Sequence, residues 1–454
     1  MHWLLLLTAA LLFHIRGKRL PALVILFFFI TSGFQFMPLA VFQTNWGISK
    51  ALDFALIFVA STFVLDLKKN VRLIQSDAFA KNIVLFLGFV VLAVLFSLFV
   101  YQYSLESVLR ASRRYFFLLI YFNYRQLSHQ ELRRLFSFFR IVTIFQCVVF
   151  LIQIPLGVSL MNTGTSEGGT AQFIGQTGTW TRYYNLPVFA ILYFFYSLFL
   201  KKRNRISYWL ILALFTMTVI APLHRSLIFI LLVTVIMVNY SAHLKMRLST
   251  PLLAAMMLIP IMVMPSVVVE RLESGIEELQ AIKEYGFETG KGNLSFRLAH
   301  AYERAEFVTK SWERIVFGLG FLVDDTQQAR ALSFQTVYGG KRHEVIQVST
   351  GDIAWSMLFL HLGLVGTMLY LWLYWDATKV IWKSRNSALG LAALSILLVT
   401  FLTSVTSSGF IDTVTFVLVP LLVSLVKNEG NKKMTVGSEN AMVNTNLMAG
   451  GLQT

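Results

Sequence analysis

The chain has 454 residues, 56% of them hydrophobic and only 14% charged, and its mean hydropathy is +0.66. A soluble domain usually carries about 25% charged residues, and apolar runs such as 83–101 are too many for one water-soluble core to hide. The net charge of +16 is scattered over short connectors rather than gathered on a soluble face, which argues against a nucleic-acid partner, and the single Cys147 excludes an intramolecular disulfide or a multi-cysteine metal site.

The apolar runs are continuous rather than alternating, which favours helices over a barrel. In lipid each backbone amide must be satisfied within its own helix or a closed sheet. The fold class read from the sequence is therefore an all-α polytopic membrane protein with about 12–13 transmembrane helices and one large external (periplasmic) loop that itself contains helices. Predicted spans are 2–15, 20–42, 47–67, 83–101, 105–124, 137–157, 184–200, 206–222, 226–241 and 250–268, then 352–376, 386–406 and 409–427. The first lacks the basic start and small-residue cleavage site of a signal peptide. These spans divide the chain into a bundle over 1–269, the loop 270–351, C-terminal spans over 352–427 and a polar, disordered tail over 428–454.

Basic clusters at Arg16–Arg19, Lys68–Lys81, Arg125–Arg134, Lys201–Arg205, Lys245–Arg247, Lys379–Arg385 and Lys427–Lys433 fall on alternate connectors. All can be cytoplasmic at once, as the bias of basic residues toward that side requires. Leu156–Arg182 and Glu270–Gly351 are then external. Arg110, Arg113 and Arg114 lie inside a predicted span and are candidates for an internal cavity.

On the external side, Leu156–Arg182 is rich in Gly, Thr and Ser and reads as irregular loop. Arg182 sits among Trp180, Tyr183 and Tyr184, so it is either part of an interfacial aromatic belt or a phosphate ligand. In APLHRS (Ala221–Ser226) Pro222 ends one helix and Ser226 can cap the next, placing His224 and Arg225 at the outer surface. Arg225 there either snorkels to headgroups or binds an anion. Glu270–Glu284 is a charged amphipathic helix candidate, and Gly286–Asn293 a flexible link.

Ser295–Phe321 is the most motif-like piece, predicted as one helix to about Val316 and ended by Gly318 and Gly320. Arg297, His300 and Arg304 share one face, opposite Ala301, Ala305, Val308, Trp312 and Ile315. Two arginines and a histidine suit a diphosphate. A surface helix with ordinary Glu303–Arg304 and Glu306–Lys310 pairs is the plainer alternative. Lys341, Arg342 and His343 form a loop cluster, and Asp352 opens the next span, either as a cap or as a catalytic carboxylate. No P-loop, HExxH, GxSxG or zinc-spaced pair occurs, so no metal and no cofactor is expected.

Taken in order, TRYYNLP (Thr181–Pro187), LHRSLIFILL (Leu223–Leu232), the Arg…Trp…Gly-x-Gly run over 296–321 and the span GDIAWSMLFLHLGLVGTMLYL (Gly351–Leu371) resemble the O-antigen ligase and O-antigen polymerase superfamily over about residues 137–410. The resemblance implies a glycosyltransferase of the GT-C type in the bacterial inner membrane. Its substrate would be an undecaprenyl-diphosphate-linked glycan, its surroundings membrane lipids, and a chain-length regulator protein a further partner. Carried over by position, Arg182, Arg225 and Arg297 would bind the diphosphate, with His300 and Arg304 as neighbours on the same face. His343 or Asp352 would be the base. The histidine that the ligase branch carries just before the span after the loop is replaced here by Ser349–Asp352, which favours a polymerase over a ligase. A lipid-linked oligosaccharide flippase is the rival class.

Overall fold

The computed structural model describes residues 2–37, 39–42, 51–156, 160–161, 171–173, 176–180, 186–201, 206–220, 225–242, 293–336, 338–339, 345–348 and 353–429. The described chain is predominantly helical. Its helices are α1 (His2–Ile15), α2 (Arg19–Ile30), α3 (Ala51–Leu65), α4 (Leu67–Ser76), α5 (Ala78–Phe99), α6 (Leu105–Ser112), α7 (Ile120–Arg125), α8 (His129–Leu156), α9 (Leu186–Lys201), α10 (Ile206–Ile220) and α11 (Arg225–Ser241). The described segments that follow hold α12 (Asn293–Thr309), α13 (Trp312–Phe317), α14 (Gln327–Arg330), α15 (Ala354–Trp382), α16 (Ala388–Thr403) and α17 (413–429). The predicted span 250–268, the amphipathic helix candidate at 270–284 and the tail beyond 429 lie outside the described residues.

Three helices, α5, α8 and α15, are long and apolar enough to cross a membrane. Their surroundings differ. In the apolar window of α15, 61% of residues are buried, against 33% in α5 and 28% in α8. Thus α15 is central, while α5 and α8 turn Leu85, Leu92, Phe99, Ile141, Phe145 and Ile152 outward. An apolar face that broad is far larger than water tolerates on a monomer.

Local chemistry explains where the elements start and break. Asp77 caps α5, its Oδ1 accepting from the amides of Phe79 (2.9 Å) and Ala80 (3.3 Å). Ser128 and Glu131 form a reciprocal capping box, which starts α8 earlier than the predicted 137. The predicted span 20–42 stops at Ile30, because Ser32, Gly33, Phe34 and Gln35 all take positive φ. The predicted span 105–124 is not one helix: α6 passes through a 3-10 turn (Tyr115–Leu119) into α7. The loop 156–182, expected to be external and irregular, contains a short antiparallel hairpin, Ala171–Phe173 with Gln176–Trp180. Thr177 and Thr179 are β-branched and suit a strand.

Connectors expected to share a side do meet at one end. Asp66 pairs with His14 (2.8 Å), Arg19 (3.4 Å) and Lys69 (2.8 Å), and Arg19 also donates to the Gln126 carbonyl at 2.7 Å. Asp77 pairs with Lys427 at 2.6 Å and accepts from the Tyr121 hydroxyl at 2.7 Å. At the opposite end, Arg113 pairs with Asp53 and Arg110 with Asp325, both at 2.6 Å.

Candidate functional site

Helices α12 and α13 both pack on α15. The single predicted helix from Ser295 to Val316 is two helices. Ser311 adopts an extended conformation (φ −148°, ψ 155°), and its hydroxyl accepts from the Arg314 amide, so it ends one helix and caps the next.

The shared face of Arg297, His300 and Arg304 turns toward the protein rather than toward water. His300 and Arg304 are 0% exposed and Arg297 is half-buried, whereas Trp312, expected on the apolar face, is 67% exposed. Val308 lies in the core as expected. Burial of these polar groups is tolerable because protein atoms replace water. His300 Nδ1 lies 2.8 Å from Ser356 Oγ on α15. Burial, with the Arg304 charge as a smaller second cause, holds the His300 imidazole well down, at about 3, so the ring is neutral at physiological pH.

Arg304 fastens a loop. Its Nη1 donates to Glu303 Oε2 at 2.8 Å, its Nη2 to the Gln347 carbonyl at 3.1 Å, and its guanidinium lies 4.2 Å from the centre of the Phe334 ring. Glu303 in turn accepts from the amides of Gln335 (2.7 Å) and Thr336 (3.0 Å). Asp324 Oδ1 accepts from the amides of Gln347 (2.9 Å) and Val348 (2.7 Å). The predicted Glu303–Arg304 and Glu306–Lys310 pairs both form, the second at 3.6 Å on the exposed side. Sequence reading assigned no role to Glu303 as a loop anchor or to Asp324. A carboxylate within a loop short of regular structure, as Asp324 is, is the signal that could have found it.

Two glycine motifs far apart in sequence interlock. At Gly363 (φ 63°, ψ −169°) the helix α15 is interrupted, which leaves carbonyls of the preceding turn without their usual partners. The Leu319 amide donates to Leu360 O at 2.6 Å and fills one of those places. A Cβ on Gly363 would stand 2.6 Å from the carbonyl oxygens of both Ile315 and Val316, and one on Gly318 (φ 65°) would collide with Leu360 O. The turn is further held by the Tyr101 hydroxyl donating to Gly318 O (2.9 Å) and the Phe321 amide donating to Ser97 Oγ (2.9 Å). Neither Ser97 nor Tyr101 was singled out in the sequence.

Of the other predicted site residues, Arg225 is the first residue of α11. Arg182, His343 and Asp352 lie outside the described residues. Among the described residues no group of three or more His, Cys, Asp or Glu side chains could hold a metal ion. No family model matches this chain, and no curated protein matches it in sequence.

Proposed function

We propose that the protein is a multi-pass inner-membrane glycosyltransferase that polymerises undecaprenyl-diphosphate-linked repeat units on the periplasmic face. One observation carries the reading. A polar segment bearing Arg297 is fixed against an interrupted, largely buried apolar helix by the interlocked turns at Gly318 and Gly363. Irregular backbone at membrane depth is tolerated where it is buried in protein or lines a cavity. A cation carried on that segment suits a substrate whose charge lies at the membrane surface.

In the proposed reaction an acceptor hydroxyl attacks the anomeric carbon of the donor glycan. The bond from that carbon to the diphosphate oxygen breaks, and charge grows on the leaving diphosphate. Preorganised guanidinium groups lower that barrier, and Arg297, with Arg225 and Arg182, would supply them. His343 or Asp352 would take the hydroxyl proton. His300 and Arg304 would hold the helix that carries Arg297.

The test is turnover of lipid-linked repeat units by the full chain in proteoliposomes, read as glycan length. Arg297→Ala and Arg225→Ala are each expected to cut polymer formation by about 100-fold or more, while Lys310→Ala, on the exposed side, leaves it unchanged. Wild-type levels in both arginine variants would sink the reading. Transfer only to a lipid A-core acceptor would make it a ligase, and movement of single units across the bilayer without bond formation would make it a flippase.

A further inference from the structure

Near its C-terminal end, α15 carries an outward stripe that neither the bundle nor the proposed reaction uses. Met368, Trp372, Trp375, Lys379 and Trp382 follow one another at alternating steps of four and three residues, so they share one helix face. All five are exposed. The packed side of the same stretch is Leu373, Tyr374, Ala377 and Ile381, all buried. Asp376, beside the stripe, accepts from Asn82 Nδ2 on α5 at 3.0 Å. That bond sets this part of α15 at the end of the bundle where Asp77 holds Lys427.

Cations gather on the stripe. Lys379 Nζ lies 5.7 Å from the centre of the Trp372 ring and 5.6 Å from that of Trp375, and the Arg385 guanidinium lies 5.1 Å from the Trp382 ring. Lys383, one turn beyond Lys379, is exposed as well. At the same end Lys69 and Lys427 each hold a carboxylate. Among the described residues no carboxylate pairs with Lys379, Lys383 or Arg385. Tryptophans do gather at membrane interfaces, and lysines there reach toward water. Lys379 instead folds back along the span over two rings that precede it. A cation placed there without an acidic partner is matched by an anion that reaches it from the lipid side.

We propose that this stripe binds an anionic phospholipid of the cytoplasmic leaflet, of the phosphatidylglycerol type. The lipid phosphate sits between Lys379 and Lys383, Arg385 adds charge beside the headgroup, and Trp372 and Trp375 lie along the glycerol and the first acyl carbons. Three basic side chains that no carboxylate neutralises leave a positive patch. A singly negative headgroup complements it, and a zwitterionic one does not. The site rests on the membrane setting of the reading above and needs nothing of its sugar chemistry.

The test is native mass spectrometry of the detergent-purified full chain, titrated with phosphatidylglycerol, phosphatidylethanolamine or undecaprenyl phosphate. The wild type is expected to hold phosphatidylglycerol about 10-fold more tightly than phosphatidylethanolamine. Lys379→Gln with Lys383→Gln is expected to erase that preference, and Lys379→Arg with Lys383→Arg to keep it. Trp372→Leu with Trp375→Leu is expected to weaken phosphatidylglycerol about 3- to 10-fold. Lys68→Gln, which removes an exposed cation at the same end, leaves it unchanged. No preference in the wild type, or a preference that survives the double Gln change, overturns the site. An equal loss in Lys68→Gln does so too, since it would mark general surface charge. Undecaprenyl phosphate held as tightly as phosphatidylglycerol would make this a carrier-lipid contact, and a dimer abolished by the Trp changes would mean that a second copy covers the stripe; either result also sinks the proposal. The measurement involves no turnover. A chain that holds phosphatidylglycerol in this way but never extends a glycan therefore loses the reading above and keeps the site.

Discussion

At the scale of single residues, the helix face that reads as a diphosphate cradle is mostly a set of internal fasteners. His300 and Arg304 are legible as a pair by their i, i+4 spacing, and the Glu303–Arg304 bond is legible too. Their burial is not. Spacing shows which side chains share a face, but it does not show which way the face turns when a long loop folds over it. His300 makes a pH prediction. Its folded value is depressed to about 3, against about 6.5 in an unfolded chain. At pH 7 the ring is neutral in both states and contributes nothing to the difference. As pH falls below about 6.5, only the undocked helix takes up a proton, so docking of α12 weakens by up to about 1.4 kcal/mol per pH unit. Hydrogen exchange of the backbone around 296–304 should therefore speed up between pH 6.5 and 4 in the wild type. The acceleration should shrink in His300→Gln. An equal response in both proteins would show that another group governs it.

At the scale of elements, the FGLGF turn and the Gly-x-x-Gly step at 363–366 act as one joint. Each is readable in the sequence as a glycine motif, and the expectation that Gly318 and Gly320 end a helix holds, with φ of 65° and 73°. Their mutual contact is invisible to local patterning, because it joins residues about 45 positions apart through backbone atoms. Gly366 has a separate job: its missing side chain admits the Phe89 ring of α5. Gly363→Ala must place a side chain in backbone space reserved for glycine and against two carbonyls. The backbone strain alone costs about 1–3 kcal/mol. Such a variant should lose protection from proteolysis across 311–322 while α1–α3 keep theirs. Unchanged protection would mean that the joint relaxes without cost. The break of 105–124 is equally hidden, since a run that is apolar enough to span reads the same whether it is continuous or bent.

At the scale of the whole molecule, charge is sorted to two ends while apolar side chains point outward along α5 and α8. The sorting is the most legible feature, because it follows from counting basic residues in connectors. The structure adds the ion pairs that link those connectors, such as Asp77–Lys427 across 350 positions. This sorting can be checked in cells. Single cysteines placed at Lys69 and Arg133 should react with a membrane-impermeant maleimide from one side only, and cysteines at Glu106 and Asp325 from the other. The native Cys147 is buried and should stay silent. Mixed labelling within either pair would refute the arrangement. The joint at Gly363 also bears on the order of assembly. Residues 311–322 leave the ribosome before 354–382. The amide that completes the interrupted helix is thus already made when that helix emerges. A chain from which 311–322 were deleted would deliver α15 with an unmet carbonyl, a defect in assembly that would be felt before any missing activity.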